Sequence, residues 1–192
     1  MIDSSAKIHS HALIEENVSI GANTRVWAFA HILPGVTVGS DCNICDHTLI
    51  ENNVSLGNRV TVKSGVYIWS GIEIEDDVFI GPCVAFTNDK RPRSRQQVEY
   101  PKTHLLQGCS IGANSTLLPG ITIGNWSMVG AGSVVTKNVP SHALVFGNPA
   151  ILRGWICRCG MQLIVVGSSG HCRCGHKYQL SIDQKELNKV SL

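Results

Sequence analysis

Residues 8–38 read IHSHAL IEENVS IGANTR VWAFAH ILPGVT V when they are written six at a time, and every group opens with an aliphatic residue. The same period continues without a slip to residue 86: Ile8, Ile14, Ile20, Val26, Ile32, Val38, Ile44, Ile50, Leu56, Val62, Ile68, Ile74, Ile80, Phe86. A second series, four residues after each member, is mostly small or β-branched. A hexapeptide period predicts a parallel β-helix, in which each repeat supplies one short strand and one corner.

The residue types between the apolar positions support that interpretation. β-Branched residues suit the flat strands, and Gly and Asn tolerate the left-handed backbone that a tight corner requires. No single repeat can bury its apolar face, so stacked repeats share one continuous core. The apolar spacing of three and four that marks an amphipathic helix is absent, which excludes a helical bundle.

The period also predicts where the β-helix begins and ends. It breaks after Phe86 at the polar segment TNDKRPRSRQQVEYPKTH (87–104) and resumes from Leu105 to Val135. We therefore predict a β-helix over residues 1–139 with a loop excursion at about 87–104, on a face that is often the binding face. Residues 140–192 form a C-terminal extension with two CRCG elements, and its end, DQKELNKV, suggests a short helix.

Composition limits the protein classes that remain. The chain has 192 residues, 43% of them hydrophobic and 16% charged, with a formal net charge of +2. This is a foldable chain of one domain with a small appendage, and its charge does not call for nucleic acid or a membrane. The first residues hold no apolar signal core, and no apolar run is long enough to span a bilayer. We therefore expect a cytoplasmic protein whose eight cysteines are reduced.

The repeats resemble those of the left-handed β-helix acyltransferases, the hexapeptide transferase superfamily. That resemblance implies three hexapeptides per triangular coil, a homotrimer, and acyl-CoA bound between neighbouring subunits. Residues eighteen positions apart would then stack in columns, such as Phe29 with His47 and Glu51 with Trp69.

A narrower resemblance is carried by VFIGP, FTND and PRS between residues 78 and 94, by VWAFAHILPG (26–35), and by the segment from GNPA to CRCG. These motifs are similar to those of hexapeptide N-acetyltransferases for nucleotide-linked 3-amino sugars, most of all the UDP-2-acetamido-3-amino-2,3-dideoxyglucuronate N-acetyltransferases. The resemblance implies transfer from acetyl-CoA to the 3-amino group of a UDP-linked amino sugar acid, for bacterial O-antigen or related polysaccharides. Three alternatives stay open: a dTDP-3-amino-3,6-dideoxyhexose N-acetyltransferase, an O-acetyltransferase, and a metal-binding β-helix of the carbonic-anhydrase-like type.

Three residues are candidates for catalysis. The Asn88 amide can accept a hydrogen bond from an incoming amine or steady a tetrahedral oxyanion, although Asn at a corner often serves only the backbone. His31 and His47 lie in the repeat, and a near-neutral pKa suits histidine to act as the general base. Both can instead be structural, and the departing CoA thiolate can be the final proton acceptor.

Two sets of residues are candidates for substrate binding. The first lies at the start of the loop, where arginines can hold a diphosphate or a carboxylate in bidentate fashion: Asp89, Lys90, Arg91, Arg93. The second lies in the repeat and consists of Glu51, Tyr67 and Trp69. The rings of Tyr67 and Trp69 are predicted to face outward, where they can stack on a base or a sugar, and Glu51 belongs to the column of Trp69. A solvated charge run and packing between subunits are the competing explanations.

The donor site is predicted from the end of the β-helix. GNPA (147–150) resembles the segment that contacts the CoA adenine region in this superfamily, which implies roles for corner alanines, GNPA residues and nearby cations: Ala113, Ala131, Lys137, Asn148, Pro149, Arg153. The glycines follow the hexapeptide period, so no Walker or Rossmann phosphate loop is present.

The two CRCG elements supply four candidate ligands for a structural zinc ion, Cys157, Cys159, Cys172 and Cys174. Two thiolates per turn resemble a zinc ribbon, although the spacing is CxC instead of the usual CxxC. The alternative is a small β-hairpin cap with reduced thiols.

Overall fold

The computed structural model describes residues 1–96, 98–181 and 187–190. In these ranges the chain is all-β, and none of it forms a helix long and apolar enough to cross a membrane. The strands are β1 (Lys7–Ile8), β2 (Leu13–Ile14), β3 (Ser19–Ile20), β4 (Arg25–Val26), β5 (His31–Ile32), β6 (Thr37–Val38), β7 (Asn43–Ile44), β8 (Leu49–Ile50), β9 (Ser55–Leu56), β10 (Thr61–Val62), β11 (Tyr67–Ile68), β12 (Ile72–Ile74), β13 (Phe79–Ile80), β14 (Ala85–Phe86), β15 (Thr103–Leu105), β16 (Ser110–Ile111), β17 (Thr116–Leu117), β18 (Thr122–Ile123), β19 (Met128–Val129), β20 (Val134–Val135), β21 (Ala143–Gly147), β22 (Ala150–Trp155), β23 (Ile164–Val166), β24 (Ser169–His171), β25 (Lys177–Leu180) and β26 (Leu187–Lys189).

Strands β1 to β21 wind into a parallel β-helix with three sheets as its faces. Sheet 1 runs β1-β4-β7-β10-β13-β16-β19-β21 and ends on β22, sheet 2 runs β2-β5-β8-β11-β14-β17-β20, and sheet 3 runs β3-β6-β9-β12-β15-β18. Each strand pairs with the strand one coil later, as in Lys7 with Arg25 and His31 with Leu49. The predicted β-helix and its columns of residues eighteen apart are confirmed.

The six-residue apolar series forms the core. From Ile20 onward its members are buried, whereas Ile8 and Ile14 at the amino-terminal end are half-buried. The second series, from Val18 to Val84, is buried as well. Each coil thus covers the apolar layer of the next, and truncating a central residue such as Ile44 to Ala would cost about 2–5 kcal/mol.

The corners repeat with the same period. A left-handed backbone recurs at every sixth residue before the loop, at Asn17, Asn23, Phe29, Gly35, Asp41, His47, Asn53, Arg59, Gly65, Gly71, Asp77 and Cys83. Polar side chains then tie one coil to the next, since the Asn58 carboxamide accepts from the Ser40 N–H at 2.9 Å and Asp76 accepts from the Asn58 N–H at 2.8 Å. Asn and Asp, which tolerate this conformation, are therefore frequent at and beside the corners.

The loop leaves sheet 2 after β14 and returns to sheet 3 at β15, so it covers residues 87–102 and ends slightly earlier than predicted. The coil register resumes beyond it, where Phe79 pairs with Ser110 and Ile74 pairs with Leu105. The loop is therefore an insertion at one corner that leaves the stacking of the coils intact.

The C-terminal extension begins as part of the β-helix. Strand β21 pairs in parallel with β19, past the end predicted at residue 139, and β22 then folds back antiparallel on β21. Strands β23 to β26 form a separate antiparallel sheet. The short helix suggested for 183–190 is wrong at Leu187–Lys189, which pair with β25 as a strand, and residues 183–186 lie outside the described residues.

Candidate active site

The start of the loop forms a cavity at the junction of sheets 2 and 3. Asn88 lies two residues beyond the end of β14, and the cavity of about 320 Å³ is lined by Asn88, Asp89, Lys90, Arg91, Val98, Glu99 and Pro101. The Asp89 carboxylate accepts from the Arg91 N–H at 2.7 Å, which holds the turn that carries both side chains. The structure therefore brings together four of the residues that the sequence predicted, together with apolar and acidic partners from the returning half of the loop.

The cations of this loop are available to a ligand. Lys90, Arg91 and Arg93 are exposed, and within the described ranges no carboxylate lies at ion-pair distance from any of them. The Arg93 guanidinium donates a hydrogen bond to the Pro92 carbonyl at 2.9 Å. Unpaired guanidinium groups beside a cavity suit an anionic ligand such as a diphosphate. Arg93, however, is outside the cavity lining.

The returning end of the loop is anchored to sheet 3 by a carboxylate. The Lys102 ammonium donates to Glu73 at 2.8 Å, and His104 Nδ1 lies 3.2 Å from the other carboxylate oxygen. These contacts, the hydrogen bond from Lys102 first, hold the pKa of Glu73 below its ordinary value. Both ends of the loop are thus fixed to the β-helix.

The floor beneath Asn88 is built by residues that were predicted to bind substrate directly. Trp69 is half-buried instead of facing outward, because its indole N–H donates to the Phe86 carbonyl at 2.8 Å and its ring packs against the core. Glu51 accepts from the Ser70 N–H at 2.7 Å. Trp69 and Glu51 therefore fix the backbone of the coils below the loop, and we assign them a positioning role instead of direct contact with substrate.

Tyr67 does face outward, with half of its surface exposed, and its ring meets Trp69 edge-on at 6.0 Å. It belongs to sheet 2, whose outward residues are mostly apolar: Leu13, His31, Leu49, Tyr67, Ala85, Thr116, Val134. The outward residues of sheet 3 are polar: Ser19, Thr37, Ser55, Glu73, His104, Thr122. The candidate site therefore lies at the edge of the most apolar face of the β-helix.

The two candidate general bases lie apart from Asn88 within one chain. His31 is on β5, three strands from β14, which at about 4.8 Å per strand is a separation of about 14 Å. Its Nε2 lies 3.0 Å from the Glu15 carboxylate. His47 is exposed at a corner and stacks on Phe29 at 5.1 Å, in the predicted column. A single chain therefore does not bring either histidine to the loop cavity, and sequence reasoning missed the Glu15 partner of His31.

The predicted donor residues lie around the last coils. A cavity of about 270 Å³ is lined by Lys137 and Pro149, together with Val135, Thr136, Asn138, Val139, Pro140, Val145, Ala150, Ile151 and Leu152. Asn148 is exposed beside it, and the Arg153 guanidinium lies over the Phe146 ring at 5.2 Å. Ala113 and Ala131 occupy matching corners so closely stacked that a Cβ on Gly112 would meet the Ala131 backbone. These corners leave backbone next to solvent, where a slender ligand can approach.

The four cysteines of the CRCG elements converge. Their sulfur atoms all lie within 4.8 Å of one another, and in the described part of the chain this is the only group of three or more Cys, His, Asp or Glu side chains placed to hold a metal. The pKa of Cys174 is lowered to about 7, first by the His176 backbone N–H and then by the Cys172 thiol. Sequence reasoning missed His176 and Tyr178, which both contact Cys157 Sγ. The available signal was their position, one and three residues after the second CRCG.

Known proteins resemble this chain in sequence and in fold. Residues 17–52 and 102–137 match the family described as bacterial transferase hexapeptide (six repeats). The chain is 51% identical over 173 residues to dTDP-3-amino-3,6-dideoxy-alpha-D-galactopyranose 3-N-acetyltransferase of Aneurinibacillus thermoaerophilus, and the match covers 90% of each chain.

Two crystal structures share the fold. PerB from Caulobacter crescentus, in complex with CoA and GDP-perosamine, has a TM-score of 0.50 at 22% identity over 78% of this chain and 57% of its own. A variant of AntD, an N-acyltransferase from Bacillus cereus, in complex with dTDP-4-amino-4,6-dideoxyglucose and coenzyme A, has a TM-score of 0.50 at 22% identity over 79% of this chain and 80% of its own. At this identity the likeness extends to the fold.

Proposed function

Because this chain belongs to the bacterial hexapeptide-repeat transferases and is an acyltransferase, we propose that it acetylates the 3-amino group of a nucleotide-linked 3-amino sugar, with acetyl-CoA as donor. The first choice of acceptor is a dTDP-3-amino-3,6-dideoxyhexose. The observation that carries this choice is the relative that shares 51% identity over 90% of both chains. This relative makes the dTDP-linked sugar, which the sequence alone left as an alternative, a better choice of acceptor than the UDP-linked amino sugar acid.

The chemistry of the two acceptors differs in a way that the loop would sense. Both carry a diphosphate, but a 3,6-dideoxyhexose has a methyl group where the uronic acid has a carboxylate. Arg91 and Lys90 at the cavity suit the diphosphate that both share. The apolar Val98 and Pro101 on the returning half of the loop suit a methyl group better than a carboxylate.

The proposed reaction is direct transfer. The sugar amine attacks the thioester carbonyl, the C–N bond forms, the C–S bond breaks, and the amine loses a proton that the CoA thiolate finally takes. Asn88 accepts a hydrogen bond from the amine or donates one to the developing oxyanion. Holding both substrates in line supplies much of the rate enhancement.

The donor would bind along the last coils, toward the cavity beside Lys137 and Pro149. We propose a homotrimer, because the loop cavity and the apolar face of sheet 2 are adjacent and a neighbouring subunit would close the site from the side. In such an assembly His31 or His47 of another subunit can approach a reacting group that its own chain does not reach. We place the enzyme in the cytoplasm, where thiols stay reduced, and its product in the synthesis of bacterial polysaccharide precursors such as O-antigen.

The test is a thiol-release assay with acetyl-CoA and two acceptors, dTDP-3-amino-3,6-dideoxygalactose and the UDP-linked 3-amino uronic acid. We expect kcat/KM to be at least about a hundredfold higher with the dTDP sugar, because a buried carboxylate without a partner is strongly disfavoured. A higher kcat/KM with the UDP-linked acid would make that acid the preferred acceptor. The absence of thiol release with both acceptors would reject the proposed function.

An Arg91→Gln variant sharpens this test. If Arg91 binds the diphosphate, KM rises about tenfold for both acceptors with little change in kcat, because the lost contact is equal in the ground and transition states. A loss confined to the uronic acid would mean that Arg91 binds a carboxylate. Arg25→Gln on the outer face of sheet 1 is the matched control, and its KM should stay unchanged.

A further inference from the structure

The two CRCG elements bring four sulfur atoms to the geometry of a tetrahedral metal site. Cys157 Sγ lies 3.5 Å from Cys174 Sγ, Cys159 Sγ lies 3.5 Å from Cys172 Sγ, and every pair of the four is within 4.8 Å. Zinc–thiolate bonds of about 2.3 Å place tetrahedral sulfurs about 3.8 Å apart. The observed separations bracket that value and are far longer than the roughly 2.05 Å of a disulfide bond.

The CxC spacing works because each element folds as a tight knuckle. The Cys157 carbonyl accepts from the Gly160 N–H at 2.8 Å, and the Cys172 carbonyl accepts from the Gly175 N–H at 3.0 Å. Both glycines have a left-handed backbone, with φ of 86° and 94°, which explains the glycine after each CRC. The two sulfurs of each knuckle therefore point to the same side of the chain.

A second backbone hydrogen bond closes each knuckle in the same way. The Cys157 N–H donates to the Met161 carbonyl at 2.9 Å, and the Cys172 N–H donates to the His176 carbonyl at 3.0 Å. Both knuckles therefore share one backbone geometry. Such backbone hydrogen bonds orient the ligand side chains as an outer shell does.

The knuckles belong to different parts of the fold. The first follows β22, which pairs with the β-helix, and the Arg158 guanidinium in it lies over the Trp126 ring of a β-helix corner at 4.1 Å. The second lies between β24 and β25 of the separate antiparallel sheet. An ion bound by both knuckles would therefore join that sheet to the end of the β-helix.

We propose that Cys157, Cys159, Cys172 and Cys174 bind one thiolate-preferring divalent ion, zinc in the first place, and that this ion fixes the C-terminal sheet to the β-helix. Four protein ligands leave no open coordination position, so the site is structural and does not take part in acyl transfer. Tyr178 and His176 complete its surroundings, at 3.2 Å and 3.4 Å from Cys157 Sγ. The proposal does not depend on the acceptor sugar.

The test begins with the metal content of full-length protein purified under reducing conditions without chelator. We expect about one zinc per chain, and fewer than about 0.1 in a Cys159→Ser/Cys172→Ser double variant. Cys83→Ser removes an exposed cysteine at a β-helix corner and is the matched control, which should keep its zinc. Cobalt added to the stripped wild-type protein should give the d–d and thiolate charge-transfer absorption of a tetrahedral cobalt–thiolate centre.

A second measurement covers the case in which the double variant does not fold. Titration of native wild-type protein with a mercurial, in the presence of a metallochromic indicator, should release zinc in step with modification of four thiols. Wild-type protein without zinc and without the cobalt bands would overturn the proposal. So would zinc retained by the double variant, or an intact mass showing two disulfides.

Discussion

Asn88 is the residue on which the acyl-transfer chemistry is proposed to depend. It is half-buried, lies two residues after the last strand before the loop, and lines the cavity with Arg91 and Lys90. Replacing it by Ala is expected to lower kcat about 10²–10³-fold. The melting temperature should change little, since no hydrogen bond joins the Asn88 side chain to another residue in the described part of the chain. Steady-state kinetics and thermal melting of the same sample check both expectations.

An Asn88→Asp variant separates the two roles open to this side chain. Aspartate keeps the acceptor oxygen but lacks the N–H₂ donor. If Asn88 accepts from the amine, Asp retains much of the activity; if it donates to the oxyanion, Asp is as impaired as Ala. Wild-type turnover in Asn88→Ala would leave only a corner-supporting role. Asn52→Ala, at the equivalent place two coils earlier, should retain activity.

At the scale of the elements, one corner is joined to the next coil by an ion pair between Arg59 and Asp77. Arg59 binds Asp77 of the following coil through contacts of 2.6 Å and 3.0 Å, and these contacts, the hydrogen bond first, hold the pKa of Asp77 below its ordinary value. A depressed carboxyl pKa stabilises the fold above the unfolded pKa of about 3.9, and this stabilisation is lost as the pH falls through the folded value.

Asp77→Asn should therefore lower the melting temperature by about 1–3 °C at pH 7, and the difference should vanish below about pH 3. Asn tolerates the left-handed corner at φ 63°, so the substitution tests the charge without straining the backbone. Asp41→Asn is the matched control, because Asp41 occupies an equivalent corner and its side chain accepts from Asn23 instead of from a cation. A pH-independent difference would assign the effect to packing.

For the whole molecule, the apolar face of sheet 2 predicts the assembly. Leu13 and Tyr67 are each about half exposed on that face, at 53% and 50%, and a trimer would bury them. If the proposed trimer forms through this face, Leu13→Asp should yield monomers and lower acetyl transfer at least about tenfold, as measured by sedimentation velocity and thiol release. Phe79→Asp on sheet 1 is the control and should stay trimeric. A monomeric wild-type enzyme with full activity would contradict this prediction.

The sequence predicts the β-helix well because one period specifies both its core and its corners. Position of a residue in the six-residue period decides whether it is buried like Ile44 or outward like Tyr67. The orientation of Trp69 could not be predicted, because its indole turns inward to reach a carbonyl one coil away, and that depends on three-dimensional neighbours. The period also says nothing of residues after 139, where β22 reverses direction.

The distance between His31 and Asn88 illustrates the same limit for the site. The repeat fixes the column of each residue, but catalytic proximity depends on how many coils separate them, and on contacts from another chain. The loop residues 88–91 were predicted together because they are adjacent in sequence. The four cysteines of the CRCG elements were predicted together because the motif occurs twice. The knuckle geometry that lets a CxC pair bind one ion could not be predicted from the sequence, because it depends on backbone hydrogen bonds.

The reversal at β22 affects whether copies of the β-helix can associate end to end. A stack of parallel coils has two unlike ends, and in principle each end can template another copy in the same direction, as a filament does. Strand β22 covers the last sheet 1 edge with a strand of opposite polarity, so an incoming β1 finds no parallel partner there. Val139 bridges Ile123 and covers part of the sheet 3 edge. The extension that follows the repeats therefore occupies the edge of sheet 1 and part of the edge of sheet 3, where the first coil of another copy would otherwise pair.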